Sequence, residues 1–179
     1  DRFYAVIGAQ RKNETGAAVL YSSQDLMKWT FEGELETKLQ DFGFMWECPD
    51  YFSLQDKGVF IFSPQGLEPQ GDKYRNVYQS GYLLGDKLDF KNRRLSHGDF
   101  HELDRGFDFY APQTMEDPVG RRILVGWMGM GEVEYPTDKN GWAHCLTLPR
   151  ELSVENGRIF QKPLKELESL RRKEYRVRD

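Results

Sequence analysis

The chain echoes itself at a spacing of about sixty residues. Tyr21 and Tyr82 stand 61 positions apart, as do Asp25 and Asp86, and Leu35 and Leu95 are 60 apart. Each set keeps one order: a strand-forming run, a turn holding Asp, an aromatic residue (Trp29 or Phe90), and a further run ending in Leu. A second echo pairs Glu47 with Tyr110 and Pro49 with Pro112, both 63 apart, and an apolar run follows each, at Val59–Ser63 and Ile123–Trp127. A unit of this length holds about four short strands, and stacking such units is the pattern of β-propeller blades. An open β-sandwich with coincidental spacing is the alternative that these residues leave open.

Strand-forming runs are expected at Phe3–Ala9, Ala17–Ser23, Thr30–Leu35, Phe44–Phe52, Val59–Ser63, Asn76–Leu84, Lys91–Leu95, Phe107–Ala111, Ile123–Trp127, Trp142–Leu152 and Arg158–Gln161. Gly, Pro, Asn and Asp turns separate them. Pro64, with no N–H to give a ladder, is expected to end the Val59 strand. Pro163, followed by leucines three apart at Leu164, Leu167 and Leu170, predicts a short helix against the β body. The expectation is an all-β chain: about three blades of four-stranded antiparallel sheet over residues 1–162, then a linker helix over residues 163–179. The first unit has no counterpart of the Glu47 strand, and the chain opens Asp1-Arg2-Phe3 without Met, so that unit is expected to start before residue 1.

Aromatic residues make up 14% of the chain, more than a helical bundle needs and in keeping with strands that have aromatic inner faces. The net charge of -4 leaves no basic surplus for nucleic acid or an anionic membrane surface. No apolar run approaches the length of a membrane span. Two cysteines, Cys48 and Cys145, are too few for a disulfide framework, and reduced thiols in the cytoplasm are expected.

Glu47 lies in Phe44-Met45-Trp46-Glu47-Cys48-Pro49-Asp50-Tyr51-Phe52, a run otherwise suited to a buried strand. A carboxylate there costs several kcal/mol, as an order of magnitude, if it is ionised and unpaired. It needs either a structural partner, such as an Arg at a strand end, or a chemical role. In a propeller the first strand of each blade lines a central channel, which would bring Glu47, Asp108 and Tyr110 to one pocket. An acid, a second carboxylate and aromatic rings are what glycoside chemistry needs. The acid protonates the leaving oxygen and a carboxylate answers the oxocarbenium-like centre. Aromatic faces suit the apolar faces of sugar rings, although tryptophans such as Trp46 and Trp127 are more often plain core residues.

Several ordered runs carry a resemblance: Trp46-Glu47-Cys48-Pro49-Asp50, Phe62-Ser63-Pro64-Gln65-Gly66, Tyr78-Gln79-Ser80-Gly81-Tyr82, Gly106 to Gln113, Ile123 to Met128, and Leu146 to Leu152. Together they cover almost the whole chain, and the sequence resembles glycoside hydrolase family 32. The resemblance implies a five-bladed propeller followed by a β-sandwich. It implies retaining cleavage of the fructosyl bond of sucrose or sucrose 6-phosphate, with no cofactor and no metal. It gives Glu47 the role of general acid/base, sets Asp108 and Tyr110 beside the sugar, places Trp127 in the pocket wall, and brings Cys48 in as a substrate-side neighbour. The family's nucleophile segment, Trp-Met-Asn-Asp-Pro-Asn, and its Arg-Asp-Pro segment are both absent, and Asp117-Pro118 lies in a polar turn that replaces neither. The resemblance therefore implies a piece of the catalytic propeller that is inactive alone, with open edges that invite self-association.

Other readings stay open. A five-bladed glycosidase acting on arabinan or levan would share the acidic pocket, and a non-catalytic sugar-binding or scaffold propeller would need no nucleophile. His97 and His101, four apart, could hold a metal on a helix, but Gly98 and Asp99 between them argue for a loop. Gly126, Gly129 and Gly131 do not follow a dinucleotide fingerprint, and Arg171-Arg172-Lys173 reads as a solvated face.

Overall fold

The computed structural model describes residues 2–177. Twelve strands form three antiparallel sheets. The first holds β1 (Phe3–Gln10), β2 (Gly16–Ser23) and β3 (Thr30–Glu34) in that order. The second is β4 (Met45–Leu54), β5 (Lys57–Gln65), β6 (Gly81–Gly85) and β7 (His101–Glu102). In the third, β8 (Tyr110–Glu116) pairs with β9 (Arg122–Met128). The short β10 (Cys145–Leu146) and β11 (Arg150–Glu155) also pair with β9, and β12 (Arg158–Pro163) closes that sheet.

β5 explains why the sheets stack. Its residues 58–64 are all buried, and successive side chains of a strand point to opposite faces. Phe60 and Phe62 join a core with Leu20, Leu35 and Trp46, while Val59 and Ile61 join a second core with Phe109, Leu124 and Leu152. One strand thus supplies both layers. The first sheet approaches β4 closely: a Cβ on Gly8 would lie 1.8 Å from the Trp46 carbonyl oxygen, and one on Gly16 would lie 2.2 Å from the Trp46 indole. Only glycine fits at either position.

Several expected boundaries move. Pro64 lies inside β5 rather than ending it. Gln65 C=O accepts from Phe44 N–H on the β4 side, and Pro64 C=O accepts from Gln79 N–H on the other side. That second side is where Pro64 lacks its N–H, and β6 has already stopped at the Phe62–Gly81 pair, so no ladder bond is lost. The strand expected at 76–84 shortens to Gly81–Gly85. Lys91–Leu95 forms no strand of the second sheet: Arg94 bridges back to Asp89 and runs parallel to Glu36 at the end of the first sheet. The run expected at 107–111 enters the sheet only at Tyr110, and the 142–152 run splits into β10 and β11. Pro163 ends β12 instead of opening a helix. The helix that follows is a 3₁₀ helix, Lys165–Leu170, whose period of three suits leucines three apart. Residues 171–177 have no regular structure, and 178–179, the last of the expected linker, lie outside the described residues.

Candidate active site

Glu47 and Tyr110 occupy the same place in β4 and β8. In each strand two residues stand opposite one of the partner. Cys48 and Pro49 sit between the Glu47–Ser63 and Asp50–Ile61 pairs, and Ala111 and Pro112 between the Tyr110–Trp127 and Gln113–Val125 pairs. Both are β-bulges, and each contains a non-glycine residue in the left-handed region, Cys48 at φ 48° and Ala111 at φ 47°. Such a conformation costs about 1–3 kcal/mol and clusters where a side chain must be re-aimed.

The two side chains meet. Tyr110 donates its hydroxyl to Glu47 Oε2 at 2.8 Å. Gln65 Nε2 donates to the same Oε2 at 2.9 Å and to the Tyr110 oxygen at 3.1 Å. Glu47 Oε1 accepts no hydrogen bond among the described residues. Burial first, and the bond to Glu47 second, push the Tyr110 phenol far above its ordinary range, so it remains a donor at any working pH. Burial and the neighbouring Glu47 charge push the Cys48 thiol up, which keeps it protonated and a poor nucleophile.

Around this pair lies an aromatic wall. Tyr78 lies tilted against Tyr110 with ring centres 5.8 Å apart, and Trp127 meets Tyr110 edge-on at 6.3 Å. His144 contacts Trp127 at 4.8 Å and Tyr135 at 4.4 Å. Two more carboxylates are tied to the wall: Tyr135 donates to Asp108 Oδ1 at 3.1 Å, and Tyr78 donates to Glu132 Oε1 at 2.8 Å. The bond to Glu132 holds the Tyr78 phenol above its ordinary range, and burial and then Asp108 do the same for Tyr135.

The structure thus joins Glu47, Tyr110, Trp127 and Asp108 in one chain of contacts. Cys48 adjoins them through the bulge, where its thiol is close enough to Glu47 and Tyr110 to interact with both electrostatically. Trp46 points the other way: it is 1% exposed, donates its indole N–H to Phe42 C=O at 2.7 Å, and belongs to the core. Asp50 is held behind the bulge by the Thr114 amide (2.8 Å) and hydroxyl (2.6 Å). His97 has both ring nitrogens engaged, one by Lys38 N–H and one by Gly98 C=O. No cluster of three or more metal-ligating side chains occurs among the described residues.

Gln65, Tyr78, Glu132, Tyr135 and His144 were not singled out by sequence. Gln65 was within reach, because β5 places it two residues beyond Ser63 and so on the same face as Glu47. Expecting Pro64 to end the strand hid it. Glu132, Tyr135 and His144 sit on the loop between β9 and β10, which has no counterpart in the repeat.

Residues 1–163 match the glycosyl hydrolases family 32 N-terminal domain. Sucrose-6-phosphate hydrolase of Staphylococcus xylosus is 52% identical over 172 residues, covering 96% of this chain and 35% of that protein. The Bacillus subtilis enzyme of the same name is also 52% identical, over 98% of this chain and 38% of its own length. Among solved structures, the Bombyx mori GH32 β-fructofuranosidase superposes with a TM-score of 0.90 at 44% identity, covering 97% of this chain and 37% of that one. The sucrose-6-phosphate hydrolase of Lactobacillus gasseri gives 0.90 at 31%, covering 96% and 36%. The chain therefore spans a little over a third of the length of the relatives it matches. On that match and those relatives, it belongs to glycosyl hydrolases family 32.

Proposed function

We propose that this chain forms part of the catalytic face of a retaining β-fructofuranosidase acting on sucrose or sucrose 6-phosphate, with Glu47 as general acid/base. The observation that carries this reading is the fixed Glu47 carboxylate. One oxygen is held by Tyr110 and Gln65, the other is free, and aromatic rings stand beside it. In the first step Glu47 gives a proton to the glycosidic oxygen as the fructosyl carbon is attacked, and in the second it takes a proton from water. Trp127 and Tyr78 offer ring surface to sugar, Tyr110 lies beside it with its hydroxyl on Glu47, and Asp108 accepts from sugar hydroxyls. Cys48 contributes through the bulge that aims Glu47, and its protonated thiol stays out of the chemistry.

The three sheets read as three blades of a five-bladed propeller, with residues 163–179 leading toward a further domain and the two unpaired thiols suited to the cytoplasm. A second carboxyl about 5–5.5 Å from the acid across the sugar is required for retention. The family's nucleophile segment is absent from these residues, so that carboxyl comes from elsewhere in the catalytic unit. A non-catalytic sugar-binding propeller is the competing reading. The test is Glu47→Gln in the complete gene product. Sucrose turnover is expected to fall by about 10² to 10⁴ with the fold intact, and turnover near that of the unmodified enzyme would remove Glu47 from the role.

A further inference from the structure

A second polar cleft, of about 440 Å³, opens between the outer edges of the second and third sheets, bordered by β6 and β7 on one side and β12 on the other. Its charged rim is Lys73, His101, Arg105 and Arg158, with Glu102 as the one carboxylate. Glu102 is already engaged, accepting from the Tyr74 amide at 3.0 Å. Lys73, Arg105 and Arg158 form no ion pair with any of the described residues. Three uncommitted cations facing one cleft are out of keeping with a chain whose net charge is -4. Like charges held together without a counter-ion repel each other, and an anion that enters relieves the repulsion. The effect reaches His101, whose pKa is lowered first by burial and then by Arg158, with Lys73 adding to it and Asp99 opposing. Tyr82 and Phe100 form a buried floor, and Tyr82 accepts from the Ile159 amide at 3.1 Å, joining the two sheets beneath the rim.

We propose that this cleft is an anion site for a phosphate group, free or as the monoester of a small polar molecule, bound by Lys73, Arg105 and Arg158 with His101 as a further donor. Guanidinium forks suit the three oxygens of such a group, and a lysine adds a point charge. The site is separate from the Glu47 centre. β4 and β7 are three strand spacings apart, about 14 Å at the usual spacing, with β5 and β6 between them. A ligand here leaves Glu47 free, and the inference stands whether or not Glu47 is the acid.

The test follows the His101 imidazole by NMR in the complete gene product at fixed ionic strength, titrating inorganic phosphate, glucose 6-phosphate and glucose in separate arms. Saturable shifts of the His101 resonances with a rise in its pKa are expected for phosphate or glucose 6-phosphate, and none for glucose. Tighter binding of glucose 6-phosphate identifies an ester as the ligand, and equal binding identifies the phosphate group alone. Lys73→Gln with Arg158→Gln is expected to weaken the response roughly tenfold or more. Both residues are exposed, so the fold should survive. If the double variant melts early, Arg105→Gln alone must still weaken binding. The absence of a saturable shift, an equal response to glucose, or full binding by these variants would overturn the site.

Discussion

In the proposed mechanism Glu47 depends on what holds it. Of its two carboxylate oxygens, one takes both protein donors and the other accepts no hydrogen bond among the described residues. Tyr110 cannot ionise in the working range, so its donation to Glu47 does not vary with pH. Tyr110→Phe removes that donor and leaves Gln65 as the remaining one among the described residues. A hydrogen bond to a charged group is worth about 1.5–3 kcal/mol, so kcat on sucrose in the complete gene product should drop by roughly ten- to a hundredfold. An unchanged kcat would mean that the bond is structural. The Glu47–Tyr110 partnership was legible because the two are 63 residues apart and occupy equivalent strand positions. The Glu132, Tyr135 and His144 contributions were not, because they rest on a loop that nothing in the repeat predicts.

At the scale of elements, β4 separates its two duties by alternation. Glu47 faces the third sheet, and Trp46, one residue earlier, fills the core shared with the first. Trp46→Ala would leave a cavity against Gly16, Phe60 and Phe62, and unfolding free energy should fall by about 3–5 kcal/mol. A loss below about 1 kcal/mol by chemical denaturation would contradict this packing. The segment linking the first two sheets has its own signature. His97 is buried and accepts from Lys38 N–H, and burial lowers its pKa below the ordinary 6.5, with Lys38 adding to the effect and the Gly98 carbonyl and Asp99 opposing it. Because the folded value is depressed, the unfolded chain takes the proton first. The stabilisation is complete above pH 6.5 and is lost as pH falls below it toward the folded value. Unfolding free energy should therefore decline as pH is lowered from 7 to 5, with His101 acting in the same sense. The decline should be shallower in His97→Gln, and equal slopes would contradict it. Strand cores could be read from apolar runs, whereas their ends depended on which side of a ladder a missing N–H falls, as at Pro64, and on cross-sheet pairing, as at Arg94.

For the whole molecule, three stacked sheets with two shared cores place one carboxylate, its phenol partner and an aromatic wall on a common face. Phe3, Tyr4 and Ile7 on β1 remain exposed, leaving an apolar flank on an edge strand that favours pairing with another chain. The 179-residue chain alone should therefore associate in sedimentation experiments and hydrolyse no sucrose, and a monomer with Glu47-dependent turnover would show that a nucleophile lies within these residues. If Glu47 donates the proton that lets glucose leave, the cost of removing it must depend on the leaving group. The complete gene product and its Glu47→Gln variant would be compared on sucrose and on a 4-nitrophenyl β-fructofuranoside, whose phenolate departs with little protonation. A loss of about 10² or more is expected on sucrose, with a much smaller loss in the first step on the activated substrate. Equal losses on both, or none on sucrose, would contradict it.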